Sequence, residues 1–125
     1  MVINIINFSP QHNMLRIEIS GEITFEEICA FFRQLFNEKT LPSDCKKVLI
    51  IDNSTESPTL KFNHKLLADL YSDFPNEINN LRIAVCTDHV EFYGLITNIR
   101  SYFKNPINRP FSDEQAAIKW LNSTF

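Results

Sequence analysis

Hydrophobic and polar positions form two different patterns at the start of the chain, and each pattern predicts a strand. Residues 1–8 form an apolar run with β-branched side chains, whereas Leu15, Ile17 and Ile19 alternate strictly with polar residues. Residues 9–13 contain a Ser-Pro pair and predict the turn between the two strands. We therefore expect an antiparallel hairpin with one face turned inward.

A first helix is predicted in the segment after Gly21. Thr24 and Glu27 have the spacing of a capping box, in which each side chain accepts a hydrogen bond from the backbone amide of the other residue. Apolar residues at helical spacing then form a stripe that reaches about residue 37. The stripe consists of Phe25, Ile28, Cys29, Phe32, Leu35 and Phe36.

Three strands are predicted further along the chain. Residues 48–51 have no polar position, which is typical of a central strand buried on both faces. Residues 81–86 are mainly apolar and predict the next strand. Residues 107–111 follow Pro106 and contain Pro110, so they predict a short edge strand, where proline is tolerated.

The second helix has two candidate starts. Ser57 suits the N-cap position with Pro58 as the first helical residue, and Thr59 is the alternative cap. Pro75 is expected to end the helix. Its apolar stripe consists of Leu66, Leu67, Leu70, Tyr71 and Phe74.

The third and last helices are also predicted from their caps. Asp88 and Glu91 have capping-box spacing before the third helix, with Thr87 as the alternative cap, and Ser112 and Gln115 have the same spacing before the last. The stripe of the third helix consists of Phe92, Leu95, Ile96, Ile99 and Phe103.

Two single residues in these helices carry further predictions. Gly94 lies inside the third helix, where glycine costs roughly 1 kcal/mol relative to alanine. We expect it to permit close packing on the sheet, with contact to a ligand as the alternative. Trp120 is expected to dock the last helix as a buried aromatic side chain, with a loss of roughly 3–5 kcal/mol on its replacement by alanine.

The order of elements is β-β-α-β-α-β-α-β-α, and it predicts one α/β domain over residues 1–125. We expect a single-layer mixed sheet of four to five strands with helices packed on one face around one core. A length of 125 residues suits one domain. In such folds a ligand or partner is expected at the carboxyl ends of the central strands.

Charge and cysteine content narrow the class of protein. A net charge of −3 with acidic and basic residues interspersed gives no basic stripe for nucleic acid. No apolar run is long enough for a transmembrane helix, and residues 1–6 lack the features of a signal peptide. Three cysteines without a C-x-x-C motif fit a reducing cytoplasm. Cys29 and Cys86 occupy apolar positions, so we expect the loop residue Cys45 to react most readily.

Motifs of enzymes and cofactor sites are missing from the sequence. Two glycines cannot form a phosphate-binding loop, and there is no G-x-S-x-G nucleophile motif. Asp88-His89-Val90-Glu91 contains ligand residue types, but neighbouring helix positions point in different directions. We therefore expect no catalytic residue, no metal and no cofactor.

The closing segment resembles a known family. Phe111, Asp113-Glu114 and Ala117-Ile118-Lys119-Trp120-Leu121, together with the order of elements and the strand at residues 48–52, resemble the STAS superfamily in its stage-II-sporulation-protein-AA-like (SpoIIAA-like) branch. The resemblance implies a bacterial origin and a four- or five-stranded mixed sheet with helices packed on it. Together with the cysteine content and the missing catalytic motifs, it leads us to expect a cytoplasmic, non-enzymatic domain that binds a protein partner or itself. It covers nearly the whole chain through residues that are mostly core positions.

The resemblance also concerns regulation. Classical members carry a serine near the start of the second helix, in an Asp-Ser-Ser-Gly type motif, that a partner kinase phosphorylates. The matching stretch here is Thr55-Glu56-Ser57-Pro58-Thr59, which has no glycine and no preceding aspartate. We therefore expect that this chain has no such phosphorylation switch.

Candidate contact residues lie at the carboxyl end of the central strand. Ser54, Thr55, Ser57 and Thr59 crowd the predicted start of the second helix, where a phosphate would meet backbone amides and the positive end of the helix dipole. The more ordinary interpretation is that they cap the helix and solvate a loop. Asp52 is either a charged site residue or, more commonly, an acceptor for loop amides.

Phe31 and Phe62 are the remaining contact candidates, because they lie off the main apolar stripes. Three interpretations are open at this point: the two residues cover an apolar pocket, they present a contact patch, or they belong to the core. Two functions follow from these alternatives: a protein-interaction or regulatory domain, and a carrier or sensor of a small apolar ligand held between helices and sheet. The carrier predicts a closed apolar cavity of roughly a few hundred Å³.

Overall fold

Five strands form one sheet in the order β1-β2-β3-β4-β5. The computed structural model describes residues 2–9, 13–39, 45–58, 62–102 and 108–123, with side chains at all of them except 2–9 and 100–102. β1 pairs antiparallel with β2, and β2 to β5 run parallel to one another. The expected mixed α/β sheet is thus present. The strands are Val2–Ser9 (β1), Met14–Gly21 (β2), Lys47–Ser54 (β3), Arg82–Cys86 (β4) and Asn108–Phe111 (β5).

Helices connect the parallel strands. Each step from β2 to β5 moves to the next strand in the same direction, and right-handed crossovers of that kind place their helices on one face. The helices are Phe25–Asn37 (α1), His64–Asp73 (α2), Pro75–Asn79 (α3), Val90–Tyr102 (α4) and Glu114–Leu121 (α5).

The main core lies between the sheet and the crossover helices α1, α2 and α4. Alternate residues of the central strands face it, among them Ile17, Val48 and Val85. The helices contribute side chains such as Phe32 and Ile96, both buried. Residues two apart along a strand share a face, so a single set of alternate positions supplies this core.

A second core lies on the opposite face, under α5. Leu49 and Ala84 are buried there against Ala117 and Leu121 of the last helix. The expectation of helices on one face only is therefore wrong for α5. This helix follows the last strand and connects no parallel pair, so the crossover rule does not place it, and it covers the apolar positions that the other face of β3 and β4 presents.

The start of α1 follows the capping box predicted for it. Thr24 Oγ1 accepts from the amide of Glu27 at 3.2 Å, and Glu27 Oε1 accepts from the amide of Thr24 at 2.9 Å. All six predicted stripe residues are buried. Local sequence is sufficient here because the cap and the stripe point to the same helix.

The predicted start of the second helix is wrong. α2 begins at His64, and its cap is Asn63, whose Oδ1 accepts from the amide of Lys65 at 2.9 Å. Ser57 and Pro58 precede the helix by several residues, and Pro58 is buried. Asparagine is as strong a cap as serine, so residue type alone does not decide between them.

Pro75 ends α2 as predicted and also begins the short helix α3. The ring fixes φ near the helical value, and the missing amide hydrogen is not needed at a first helical position.

The starts of the last two long helices shift by one or two residues. α4 begins at Val90, so neither Thr87 nor Asp88 directly precedes it. The cap of α5 is Asp113, not Ser112, and its carboxylate accepts from the amide of Gln115 at 3.1 Å. Adjacent residues with good capping side chains compete, and the extended backbone at Asp113 selects it.

Gly94 does not permit close packing on the sheet. Apart from α4's own backbone and the two adjacent residues, a Cβ atom at this position would meet no heavy atom of the described residues within 4 Å. The expected contact with the sheet is therefore wrong, and the residue faces open space.

The cysteines correct another expectation. Cys29, Cys45 and Cys86 are all buried, and Cys45 Sγ donates to the carbonyl of Lys47 at 3.3 Å. Burial raises the pKa of the Cys29 and Cys86 thiols to about 11 each. Cys45 lies two residues before β3, and its side chain is part of the main core.

Thiol labelling with iodoacetamide tests this placement. All three cysteines are expected to label at least about tenfold more slowly in native protein than in denaturant, because a buried thiol rarely forms the reactive thiolate. Mass spectrometry of peptides resolves each site. Fast native labelling of Cys45 alone would restore the original expectation of an exposed loop thiol.

Trp120 docks α5 from a half-buried position. Its ring lies 5.7 Å from that of Phe111, and the guanidinium of Arg82 stands 5.5 Å above it. The same guanidinium donates to the carbonyls of Leu121 and Ser123 at 2.9 and 2.7 Å. These hydrogen bonds satisfy carbonyl groups at the carboxyl end of α5 that have no acceptor role within the helix.

Replacing Trp120 by alanine is expected to lower the free energy of unfolding by about 1–3 kcal/mol. The loss is smaller than the roughly 3–5 kcal/mol of a fully buried aromatic, because part of the ring is solvated. Lys119→Ala, at an exposed neighbouring position, is the control and should change stability by under about 0.5 kcal/mol. Urea denaturation measures both, and equal values for the two variants would contradict the docking role of Trp120.

Candidate functional site

Polar residues of two strands meet at the carboxyl edge of the sheet. Asp52 and Ser54 lie at the end of β3, and Thr87 directly follows β4. These strands are parallel neighbours, so their carboxyl ends lie side by side. His89, just before α4, completes a group of four residues that we call the polar network.

Hydrogen bonds join the four members of the polar network. Asp52 Oδ1 accepts from the amide of Ser54 at 3.0 Å and from its hydroxyl, and Oδ2 accepts from Thr87 Oγ1 at 2.7 Å. Thr87 Oγ1 accepts from the amide of His89 at 3.0 Å. His89 Nε2 lies 2.9 Å from the carbonyl oxygen of Ser54, and since a carbonyl only accepts, Nε2 carries the proton.

The polar network is buried and satisfied. Asp52, Ser54 and Thr87 have little exposed surface, and among the described side chains no buried nitrogen or oxygen lacks a hydrogen-bond partner. The imidazole of His89 contacts a backbone carbonyl and no described hydroxyl. The Ser54 hydroxyl donates to the Asp52 carboxylate and not to this imidazole, so the described residues form no serine–histidine pair here. The hydrogen bonds of the polar network hold the two loops together.

A cleft of about 140 Å³ adjoins the polar network. No lysine or arginine of the described part of the chain lines it, although Glu114 forms an ion pair with Arg16 from outside. Burial first, and the nearby Glu114 second, raise the pKa of the Cys86 thiol to about 11, so this thiol is a poor nucleophile. The lining consists of Ile51, Asp52, Asn53, Cys86, Thr87, Asp88, Ser112 and Glu114.

Exposed apolar residues lie at the start of α4, which begins two residues after the cleft residue Asp88. Val90 is 81% exposed and Tyr93 is 41% exposed, and within the described side chains they are the large hydrophobic residues that face solvent. They are three residues apart and share a helix face with Gly94. We call Val90, Tyr93 and Gly94 the α4 patch.

The predicted polar candidates divide into two groups. Asp52 and Ser54 belong to the polar network, and Asp52 accepts from a loop amide as the ordinary interpretation holds. Thr55 is exposed, and its amide donates to the carbonyl of Gly21 at 2.9 Å. Ser57 is half-buried in the connection before α2 and does not cap that helix. Thr59 lies outside the described residues.

The two aromatic candidates pack against the main core. Phe31 is half-buried, with its ring edge-on to Phe32 at 5.6 Å, and Phe62 stands edge-on to Phe25 at 4.9 Å. They are apart from the residues that line the cleft. Of the three alternatives for Phe31 and Phe62, packing against the core is therefore the one that fits both residues.

An apolar cavity of about 70 Å³ lies within the main core, between the helices and the sheet. Its polar groups are the Tyr71 hydroxyl and the Asn108 amide, which are hydrogen-bonded to each other at 2.8 Å. Burial raises the pKa of Tyr71 to about 12. The volume is about half of the roughly 150 Å³ that accommodates benzene in an engineered core.

Sequence reasoning missed part of the site. The sequence predicts Thr87 only as a helix cap, and His89 only as part of a segment with metal-ligand residue types. Yet Thr87 directly follows the apolar strand β4, just as Asp52 follows the apolar run of β3. Their common role depends on β3 and β4 being neighbours. Val90 and Tyr93 lie off the stripe of α4, and that spacing was an available sign of exposure.

The chain matches no protein-family model, no curated protein and no solved structure. Within the described residues, no three or more His, Cys, Asp and Glu side chains form a group suited to a metal ion. None of the described helices combines the length and apolar character needed to cross a bilayer.

Removing the central carboxylate tests the polar network. Asp52→Ala is expected to lower the free energy of unfolding by roughly 2–4 kcal/mol, because it leaves buried hydroxyls of Ser54 and Thr87 without their acceptor. Asp88→Ala, at an exposed position of the same cleft, is the matched control and should cost under about 0.5 kcal/mol. Urea denaturation compares them, and a mild effect at Asp52 would refute the network's structural role.

Proposed function

We propose that this chain is a non-enzymatic regulatory domain that binds a protein partner at the carboxyl edge of its sheet. The observation that carries the proposal is the exposure of Val90 and Tyr93 at the start of α4, the helix that begins two residues after the cleft residue Asp88. Burying such side chains against a partner removes apolar surface from water, which is the main favourable term in association. The resemblance to the STAS superfamily agrees with this class of function.

The surface that we propose is not centred on the contact candidates predicted from the sequence, which include Phe31. Phe31 of α1 already packs on Phe32, so α1 offers little unpaired apolar surface there. Asp52 and Asn53 remain part of the surface because they line the cleft, with Asn53 exposed. The centre of the surface moves to the start of α4.

The chemistry of the cleft supports a binding role over catalysis. Its buried carboxylate, Asp52, is held by hydrogen bonds from Ser54 and Thr87, and the thiol of Cys86 has a raised pKa. Groups that are mutually satisfied give a rigid surface, whereas acid–base chemistry needs a group that can exchange its proton with a substrate.

The carrier of a small apolar ligand is the second candidate. The nearly all-apolar lining of the main-core cavity favours it, but its volume of about 70 Å³ requires the helices to move apart before a ligand of useful size fits. Native mass spectrometry of freshly purified protein would detect such a ligand as a mass above that of the chain.

Site-specific photo-crosslinking in the cells of origin tests partner binding. A benzophenone amino acid replaces Tyr93 in one variant and Lys119, an exposed residue of α5, in the control. Irradiation is expected to give discrete adducts of higher mass at position 93 and few at position 119, because only the first lies in the proposed surface. Identical patterns at both positions, or none at position 93, would contradict the proposal.

A further inference from the structure

The α4 patch combines two observations that internal packing does not explain. Val90 and Tyr93 are exposed on one face of the helix, 81% and 41% respectively. Gly94 beside them has open space where a Cβ would stand. Glycine weakens a helix relative to alanine, and here no neighbouring atom of the described chain requires its small size. Without a side chain, this position leaves room for another backbone to approach α4 closely.

The charges around the α4 patch indicate what kind of partner fits. Asp88 and Glu91 flank Val90 and are exposed, and the adjoining cleft contains Asp52 and Glu114. Arg16 balances Glu114, but no described basic side chain lines the cleft. Among the described side chains, the charges next to this apolar centre are therefore acidic, and electrostatic complementarity matches them to a basic partner.

A second copy of this chain fits the same surface less well. A two-fold contact uses one patch on both copies, so it would bring Asp88 and Glu91 of each copy toward those of the other. Opposed like charges disfavour that arrangement. The occupant is thus a different protein.

Given the proposed function, we infer that the α4 patch and the cleft bind a segment of a partner protein that carries apolar side chains beside lysine or arginine. The apolar side chains contact Val90 and Tyr93, and the backbone of the segment crosses at Gly94. The basic side chain reaches the carboxylate of Asp88 at the mouth of the cleft.

Three synthetic peptides of about 16 residues serve as probes, with one leucine and alanine face in common and lysine, glutamate or glutamine on the other. Each is titrated into ¹⁵N-labelled protein while amide chemical shifts are recorded. The lysine peptide is expected to perturb residues 87–98 and to bind at least about threefold less tightly in about 0.5 M salt than in about 0.05 M salt. Absence of that binding, or equal binding of either other peptide, overturns the inference.

Gly94→Ala separates binding from stability. Alanine favours the helix and meets no neighbour, so the denaturation midpoint is expected to rise, while the added methyl group weakens the lysine peptide at least about threefold. Val90→Ser should weaken the peptide to a similar extent, about threefold, through lost apolar contact. Ser72→Ala, an exposed change on α2, is the control and leaves both measurements unchanged. Unaltered binding in the Gly94 and Val90 variants overturns the inference.

The two proposals fail in different ways. If adducts form at position 93 in cells and the lysine peptide does not bind, the partner has another chemistry and only the inference is overturned. If the peptide binds at residues 87–98 and no adduct forms in cells, the inferred selectivity holds and partner binding as the function is contradicted.

Discussion

β3 is buried on both faces, and both cores and the polar network depend on that burial. Val48 and Ile50 pack into the main core while Leu49, between them, packs into the second core. Since a strand alternates its sides, one uninterrupted apolar run supports the crossover helices on one face and α5 on the other. On the main-core side of β3, the apolar positions end at Asp52. Its carboxylate accepts hydrogen bonds where Val48 and Ile50 make apolar contacts.

The parallel direction of the strands concentrates polar groups at one edge. The loops that follow the strands there are tied to their neighbours: the amide of Thr55 donates to the carbonyl of Gly21 at 2.9 Å, and that of Thr87 donates to Phe111 at 3.0 Å. Backbone hydrogen bonds thus link β2 to the loop after β3, and β5 to the loop after β4. The side-chain hydrogen bond from Thr87 to Asp52 links β3 and β4. A cleft formed on this edge has fixed walls, because moving one loop breaks hydrogen bonds to the next.

Local signals predicted the elements well and their assembly only in part. The capping box of Thr24 and the apolar run of β3 identify α1 and the central strand without tertiary information. An amphipathic α5 shows that it has a buried side, but not which face of the sheet receives it, because both faces of β3 and β4 are apolar. Asp52 is recognisable as a site residue because it follows an apolar strand. The sequence does not connect Thr87 with it, because that requires knowing that β3 and β4 are neighbours. Gly94 was misassigned because sequence does not reveal the space around a Cβ.

The polar network also determines how the α4 patch is presented. His89 directly precedes Val90, with its amide bonded to Thr87 and its imidazole to the carbonyl of Ser54. The first turn of α4 is therefore attached to the buried end of β3 by hydrogen bonds, and Val90 does not have to be buried to hold it. A surface that is ordered before binding loses little conformational freedom when a partner docks, so more of the apolar contact appears as affinity. The contacts that satisfy the polar network are thus the same contacts that hold the first turn of α4, on which the proposed surface depends.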